Sequence, residues 1–204
     1  GDDLDELLAE LNTESPDEGL TDPDEAPTPP DSPIAKPGDV FTLGNHRVLC
    51  GDSTSKEAFE TLMGDERADL VWTDPPYGVA YEGKTKEKLT IQNDALNLEQ
   101  LTEFLHEALE AAKSVTKPGA IWYVAAPHGP MGHAFGTVLL DLQIWKHSLV
   151  WVKNTFALGR GDYHYRHEAI FYGWTPGASR LHPLEARDQH TVFEFDKPAR
   201  NAEH

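Results

Sequence analysis

Residues 68–77 have the sequence ADLVWTDPPY, an apolar run that ends in an acidic residue, two prolines and an aromatic ring. The run Ala68–Thr73 predicts a buried β-strand, because it is short, apolar and followed by turn-forming residues. Proline fixes φ and lacks an N–H donor, and the second proline biases the first toward an extended conformation. The sequence therefore predicts a strand that ends at a stiff corner, where a carboxylate, Asp74, and a ring, Tyr77, lie at one edge of a sheet.

This combination suits chemistry on a planar amino group. The exocyclic amine of adenine or cytosine is a poor nucleophile, because its lone pair is delocalised into the ring. The Asp74 carboxylate and the Pro75 carbonyl can accept hydrogen bonds from its two N–H groups. The Tyr77 ring can stack on a base flipped out of the duplex. Asp74, Pro75, Pro76 and Tyr77 are thus candidate catalytic residues for methylation of a base amine. The alternative is a plain turn in which Asp74 only caps the backbone.

Strands and helices alternate along the chain from residue 38 onward. Strands are predicted at residues 39–43, 46–50, 68–73, 120–125, 147–152 and 169–174, and helices at 56–63, 98–115 and 130–141. This alternation predicts an α/β fold with a mostly parallel sheet, in which ligands bind beyond the carboxyl ends of the strands. Asp52 and Asp74 both follow strands, and we expect these strands to be neighbours.

Composition separates an acidic leading segment from the rest of the chain. Residues 1–37 contain 12 of the 35 acidic residues and one of the 17 basic ones. Residues 2–11 predict a short acidic helix and residues 12–37 a linker rich in proline and acidic residues. We therefore predict two parts, 1–37 and 38–204. The net charge of −18 argues against a free-standing DNA binder.

No secretory signal or apolar run of membrane-spanning length occurs, which predicts a cytoplasmic protein without membrane contact. The single cysteine excludes an intramolecular disulfide. His164 and His167 are three residues apart, but no third ligand is evident, and we predict no metal site.

The segment 153–168 is predicted to be a polar loop that contacts DNA, because basic and aromatic side chains alternate in it. The candidate DNA-binding residues are Lys153, Asn154, Arg160, Tyr163, Arg166 and His167. We expect Glu168 to anchor the loop through Arg160 or Arg166. An ordinary polar loop is the alternative.

Several segments together resemble the DNA amino-methyltransferases, which use S-adenosylmethionine to modify adenine N6 or cytosine N4. They are Gly51-Asp52, LVWTDPPYGVAYEG at 70–83, Asn93-Asp94, WVKN at 151–154, LGRGDYHYRHE at 158–168 and FDKPARNAEH at 195–204. The resemblance implies a Rossmann-like fold, double-stranded DNA with a flipped base as substrate, and cofactor contacts from Asp52, Ser53 and Asp74. It also suggests that Tyr81, Glu82 and Asn93-Asp94 lie near the base pocket. The Asp form of the motif favours adenine N6 over cytosine N4.

The order of motifs is similar to a subgroup in which the catalytic motif precedes the glycine-rich cofactor motif. No Gly-x-Gly turn follows a strand in these 204 residues. We therefore expect a fold that is incomplete at the C-terminus, an inactive fragment, and a downstream cofactor-binding segment. The acidic helix and linker resemble the tail of a ParB-like nuclease domain found upstream in bacterial or phage relatives.

Two other functions stay open. Methyltransferases that act on RNA or on a protein glutamine usually carry Asn-Pro-Pro-Tyr, which Asp74 argues against. A non-catalytic module that binds DNA or protein agrees with the acidic charge and with the absence of a cofactor turn.

Overall fold

The computed structural model of the chain describes residues 32–78, 95–157, 162–182, 184, 186 and 188–195. The strands are β1 (Val40–Leu43), β2 (His46–Leu49), β3 (Ala68–Thr73), β4 (Thr116–Ala126), β5 (Trp145–Ala157), β6 (Tyr165–Trp174) and β7 (Val192–Glu194). The helices are α1 (Lys56–Met63), α2 (Leu98–Ser114) and α3 (Pro130–Asp141). All of these elements belong to one compact unit, Ala35–Ala199.

The strands form two sheets. β1 and β2 make an antiparallel hairpin, and the other five strands form a sheet with the order β3-β4-β6-β5-β7. β3 pairs with β4 in parallel, as β5 does with β7, whereas β6 runs antiparallel to both β4 and β5. The α/β fold predicted from the sequence is confirmed.

The prediction that the sheet is mostly parallel is wrong for the described strands, because two of its four pairings are antiparallel. Only seven residues separate the end of β5 from the start of β6. Parallel strands need a crossover of about a dozen or more residues, so these two strands pair antiparallel. The expectation that Asp52 and Asp74 follow neighbouring strands is also wrong. Asp52 follows β2 of the hairpin, whereas Asp74 follows β3 of the five-stranded sheet.

The helix α2 forms because its leucines recur at a spacing of four residues. Leu101, Leu105 and Leu109 are buried and face the sheet. Its N-terminus has a capping box, in which the Asn97 side chain accepts from the Gln100 N–H at 2.9 Å and the Asn97 N–H donates to Gln100 Oε1 at 3.1 Å.

The hydrophobic core lies between one face of the sheet and the helices α2 and α3. Trp122, Val124 and Ala126 alternate along β4 and are fully buried. Phe135 and Leu139 of α3 cover them, and each such side chain contributes about 1.5–3 kcal/mol by leaving water. This packing holds the ends of β3 and β4 on a rigid layer.

The corner after β3 is held against this layer by a close approach at Gly78. Its φ is +71°, and a Cβ at this position would lie 2.5 Å from Met131 Cε and 3.0 Å from the Leu96 carbonyl oxygen. The methionine tip can move aside, but the carbonyl belongs to the backbone before α2. Residue 78 therefore needs glycine for both its conformation and its contacts.

Replacing Gly78 with alanine should destabilise the fold more than the same change at Gly44. Gly44 has a similar φ of +61° but no neighbour within 4 Å of the added Cβ, so it reports backbone strain alone. We expect Gly44→Ala to cost about 1–2 kcal/mol and Gly78→Ala about 1–3 kcal/mol more, measured by urea unfolding. Equal costs at the two positions would show that the corner is not tightly packed.

Candidate functional site

The functional candidates converge at the edge of the sheet where β3 and β4 end, at Thr73 and Ala126. We call it the carboxyl edge. The last pair between β4 and β6 is Ala126 with Ala169, whereas β5 and β6 continue to pair as far as Ala157 with Tyr165. The β5–β6 ladder therefore projects beyond the ends of β3 and β4, next to the corner that carries Asp74.

Tyr77 is the anchor of the corner. Its half-buried ring meets the Phe135 ring edge to face, with the centroids 6.0 Å apart and the planes at 85°. Its hydroxyl donates a hydrogen bond to the Asp74 carboxylate. Burial, this hydrogen bond and the negative charges of Asp74 and Glu168 together raise the pKa of Tyr77 far above its usual range. Tyr77 is thus a neutral donor at all ordinary pH values.

Asp74 and Pro75 present acceptors to solvent at this corner. Asp74 is exposed, and a carboxylate has more acceptor sites than the one that Tyr77 occupies. None of the hydrogen bonds among the described residues uses the Pro75 carbonyl. The corner can therefore accept hydrogen bonds from both N–H groups of one planar amine, while the hydroxyl of Tyr77 fixes the carboxylate.

The prediction that the segment 153–168 is a loop is wrong at both of its ends. Its ends belong to β5 and β6, which pair with each other as far as Ala157 and Tyr165. Lys153 is largely buried and pairs with Glu168, and its Nζ lies 5.1 Å from the centroid of the Trp151 ring. The Lys153 charge is thus neutralised within the protein, which weakens the prediction that it contacts DNA.

Glu168 does not pair with Arg166, so the Arg166 half of that expectation is wrong. The Nε of Arg166 instead donates to the Lys153 carbonyl at 2.8 Å, across the β5–β6 ladder. The other proposed partner, Arg160, lies outside the described residues. Glu168 pairs with Trp151 in the register, and Lys153 reaches it from two residues further along β5.

The other DNA-binding candidates that the structure describes lie at the tip of this ladder or close to it. Tyr163 is 91% exposed, and Asn154, Arg166 and His167 are also exposed. Their role in DNA binding stays a prediction. Tyr81, Glu82 and Asn93-Asp94 lie outside the described residues.

His128 joins the site although the sequence prediction did not include it. It lies in the turn after β4, and its ring stacks on Tyr165 with centroids 4.4 Å apart and planes at 9°. The His167 ring meets the His128 ring edge to face, with the centroids 4.4 Å apart. The Nε2 of His128 donates to the His167 carbonyl oxygen at 2.7 Å. The one sequence signal was a polar residue just past a strand end, the same signal that marked Asp74.

Asp52 and Ser53 form a local turn. The Asp52 carboxylate accepts from the backbone N–H of Thr54 at 2.9 Å and from its hydroxyl at 2.8 Å. These two hydrogen bonds lower the pKa of Asp52. Ser53 is exposed. The geometry is that of a carboxylate that shapes the start of α1, the alternative to a cofactor contact.

A cavity of about 320 Å³ lies away from the corner, on the sheet face opposite α2 and α3. Its lining includes Tyr123, His147, Tyr172, Trp174 and Arg180, and no residue of the Asp74 corner. Within the described part of the chain, no three His, Cys, Asp or Glu side chains cluster so that they could hold a metal ion. None of the described helices has the length and apolarity needed to cross a membrane.

Comparison with known proteins finds similarity in solved structures alone. No protein-family model matches the chain, and neither does any curated protein sequence. Crystal structures of M1.HpyAVI, alone and as a SAM complex, are similar with a TM-score of 0.47 and 14% identity over 74% of this chain. TTHA0409 from Thermus thermophilus, described as a candidate DNA modification methylase, is similar with a TM-score of 0.47 and 17% identity over 73%.

This chain spans 66% of the length of each of those structures. At such low identity, the function of the chain has to be inferred from its own residues.

The Lys153–Glu168 pair should stabilise the fold. Lys153→Met leaves a half-buried carboxylate unpaired, so we expect it to destabilise more than the double variant Lys153→Met/Glu168→Gln does. A double-mutant cycle from urea unfolding should give a coupling of about 1–3 kcal/mol. A coupling near zero would leave Lys153 available for a DNA phosphate.

Proposed function

We propose that the chain carries the amine-binding part of a DNA amino-methyltransferase. The observation that supports the proposal best is the corner itself. It presents a carboxylate and the Pro75 carbonyl, which accepts no hydrogen bond from the described residues, at the sheet edge where α/β proteins bind ligands. The substrate is the exocyclic amine of a base in double-stranded DNA, with adenine N6 preferred over cytosine N4.

The corner activates the amine by holding it. Asp74 and the Pro75 carbonyl each accept one N–H of the amine, which favours a tetrahedral nitrogen and frees its lone pair. The Asp74 carboxylate also stabilises the positive charge that develops on nitrogen, and the proton that the amine loses passes to solvent water. The residues contribute orientation and local electrostatics, and neither changes its covalent state.

Tyr77 keeps Asp74 in position for this task. Its hydroxyl occupies one acceptor site of the carboxylate, and its ring is fixed against Phe135. Because the hydroxyl remains neutral, it remains a donor throughout the reaction. The part of the Tyr77 ring that stays accessible borders the position of the flipped base.

The methyl donor of the proposed reaction is S-adenosylmethionine, which supplies an electrophilic methyl group on a sulfonium. The roles of Asp52, Ser53 and Asp74 in binding it stay a prediction. The Asp52 carboxylate already accepts two hydrogen bonds from Thr54, and Ser53 lies in the turn after β2, whereas Asp74 follows β3 of the other sheet. We therefore assign the Asp74 corner first to the base amine.

A non-catalytic binding module is the second candidate function. The net charge of −18 and the neutralised Lys153 favour it. An RNA or a protein glutamine as methyl acceptor is less favoured, because residue 74 is an aspartate. Each of these candidates predicts that no methylated base forms in DNA.

The function can be tested by methyl transfer from labelled S-adenosylmethionine to unmethylated DNA, using the product of the complete gene. Mass spectrometry of the digested nucleosides should detect N6-methyladenine. Asp74→Asn should lower the rate about 100- to 1000-fold, because it removes an anionic acceptor that acts in the transition state. Asp141→Asn, at an exposed carboxylate on α3 that pairs with His106, is the matched control and should change the rate within about twofold.

Equal activity in wild type and Asp74→Asn would contradict the role of the corner. Methylation of cytosine alone would correct the base preference and leave the corner intact. An inactive wild type that binds DNA would favour the non-catalytic module.

Replacing Tyr77 with phenylalanine should separate orientation from stacking. The ring and its contact with Phe135 remain, but Asp74 loses its fixed donor. We expect kcat to fall about 10- to 150-fold, the value of a hydrogen bond to a charged group, while KM changes little. The control is Tyr172→Phe, because Tyr172 lines the cavity on the sheet face away from α2 and α3. A loss confined to KM would assign Tyr77 to base stacking instead.

A further inference from the structure

The rings of His128, Tyr165 and His167 form a preorganised cluster at the carboxyl edge, which we call the ring platform. The His128 imidazole is half-buried and is held by its hydrogen bond to the His167 carbonyl. Tyr165 stacks on this fixed ring in a nearly parallel arrangement, with planes at 9°. The position of Tyr165 is therefore set by the fold before any ligand arrives.

The platform has an open side. One face of the Tyr165 ring is covered by His128, yet 54% of the residue is exposed. More than half of the surface of Tyr165 thus remains available to solvent beside its stack with His128. A tyrosine face that is rigid and exposed binds a planar ring with little loss of conformational entropy.

The platform also lies on the same edge as the Asp74 corner. His128 follows the end of β4, and β4 pairs in parallel with the strand that precedes Asp74. Tyr165 begins the strand that pairs with β4, at the tip of the projecting β5–β6 ladder. A single DNA strand that reaches the corner with one base would pass the platform with a nearby base.

We propose that the ring platform is a second nucleobase-binding subsite, where an unpaired DNA base stacks on the open face of Tyr165. The inference rests on the proposed function, because it takes a DNA strand at the corner as its starting point. Every base has a π-face, so the subsite tolerates any sequence. It binds a neighbour of the target base, not the target itself.

Charge favours a base over a phosphate at this position. The nearby cation Lys153 is paired with Glu168, and the Arg166 Nε donates a hydrogen bond to the Lys153 carbonyl oxygen. The remaining N–H groups of Arg166 are left for the backbone phosphates. In a chain with a net charge of −18, stacking on aromatic rings supplies attraction that the charges do not.

The test is the affinity of the chain for fluorescein-labelled oligonucleotides, measured by fluorescence anisotropy at low salt. The probes are a mixed-sequence single strand and an abasic strand of equal length and charge. Tyr165→Leu should weaken binding of the base-containing strand about 5- to 150-fold, the loss of one stacked base, and leave the abasic strand unaffected. Tyr165→Trp should restore the wild-type affinity.

His128→Ala should also lower the affinity for the base-containing strand, because Tyr165 loses the ring on which it stacks. His133→Ala, an exposed histidine on α3 outside the platform, is the matched control and should bind as wild type does. Circular dichroism of each variant checks that the fold is retained.

Equal weakening of both probes by Tyr165→Leu would overturn the proposal, since a contact that ignores the base is not stacking. Failure of the wild type to prefer the base-containing strand would also overturn it. The assay involves no methyl transfer. Base stacking by the chain, together with no methylation by the product of the complete gene, would contradict the proposed function and leave the subsite standing.

Discussion

The parallel pairing of β3 with β4 is the constraint on which the site depends. It brings the ends of both strands to one edge, so that the corner after Thr73 and the turn after Ala126 lie side by side. The buried row of Trp122, Val124 and Ala126 fixes β4 on the helices. The corner inherits this rigidity through Tyr77, which packs on Phe135, and through Gly78, which leaves no space for a side chain.

Rigidity at this edge has a chemical consequence. An amine gains nucleophilic character only if both of its N–H bonds point at acceptors, and such alignment is lost when the acceptors move. Two prolines, a buried ring and a hydroxyl donor restrict the corner in different ways. The structure thus concentrates its most constrained backbone where the chemistry proposed here needs fixed acceptors.

Much of the fold was predictable because local signals were strong. The bounds of β3, α1 and α3 match their predictions, since clear apolar patterns and turn residues delimit them. The polar ends of β5 and β6 were not predictable in this way, because pairing with a partner strand holds residues 153–157 and 165–168 in place. The partner of Lys153 and the stack of His128 on Tyr165 depend on the same long-range register. The prediction that the strands before Asp52 and Asp74 are neighbours was wrong, because sequence order does not reveal which sheet a strand joins.

The central claim, that the Asp74 corner holds an exocyclic amine, can be measured directly by NMR titration of this chain with nucleosides. Deoxyadenosine and deoxyinosine have similar stacking surfaces, but deoxyinosine lacks the amine. The account predicts that deoxyadenosine shifts the Tyr77 ring resonances more strongly, and that Asp74→Asn abolishes the difference. Equal shifts from the two nucleosides in the wild type would contradict it.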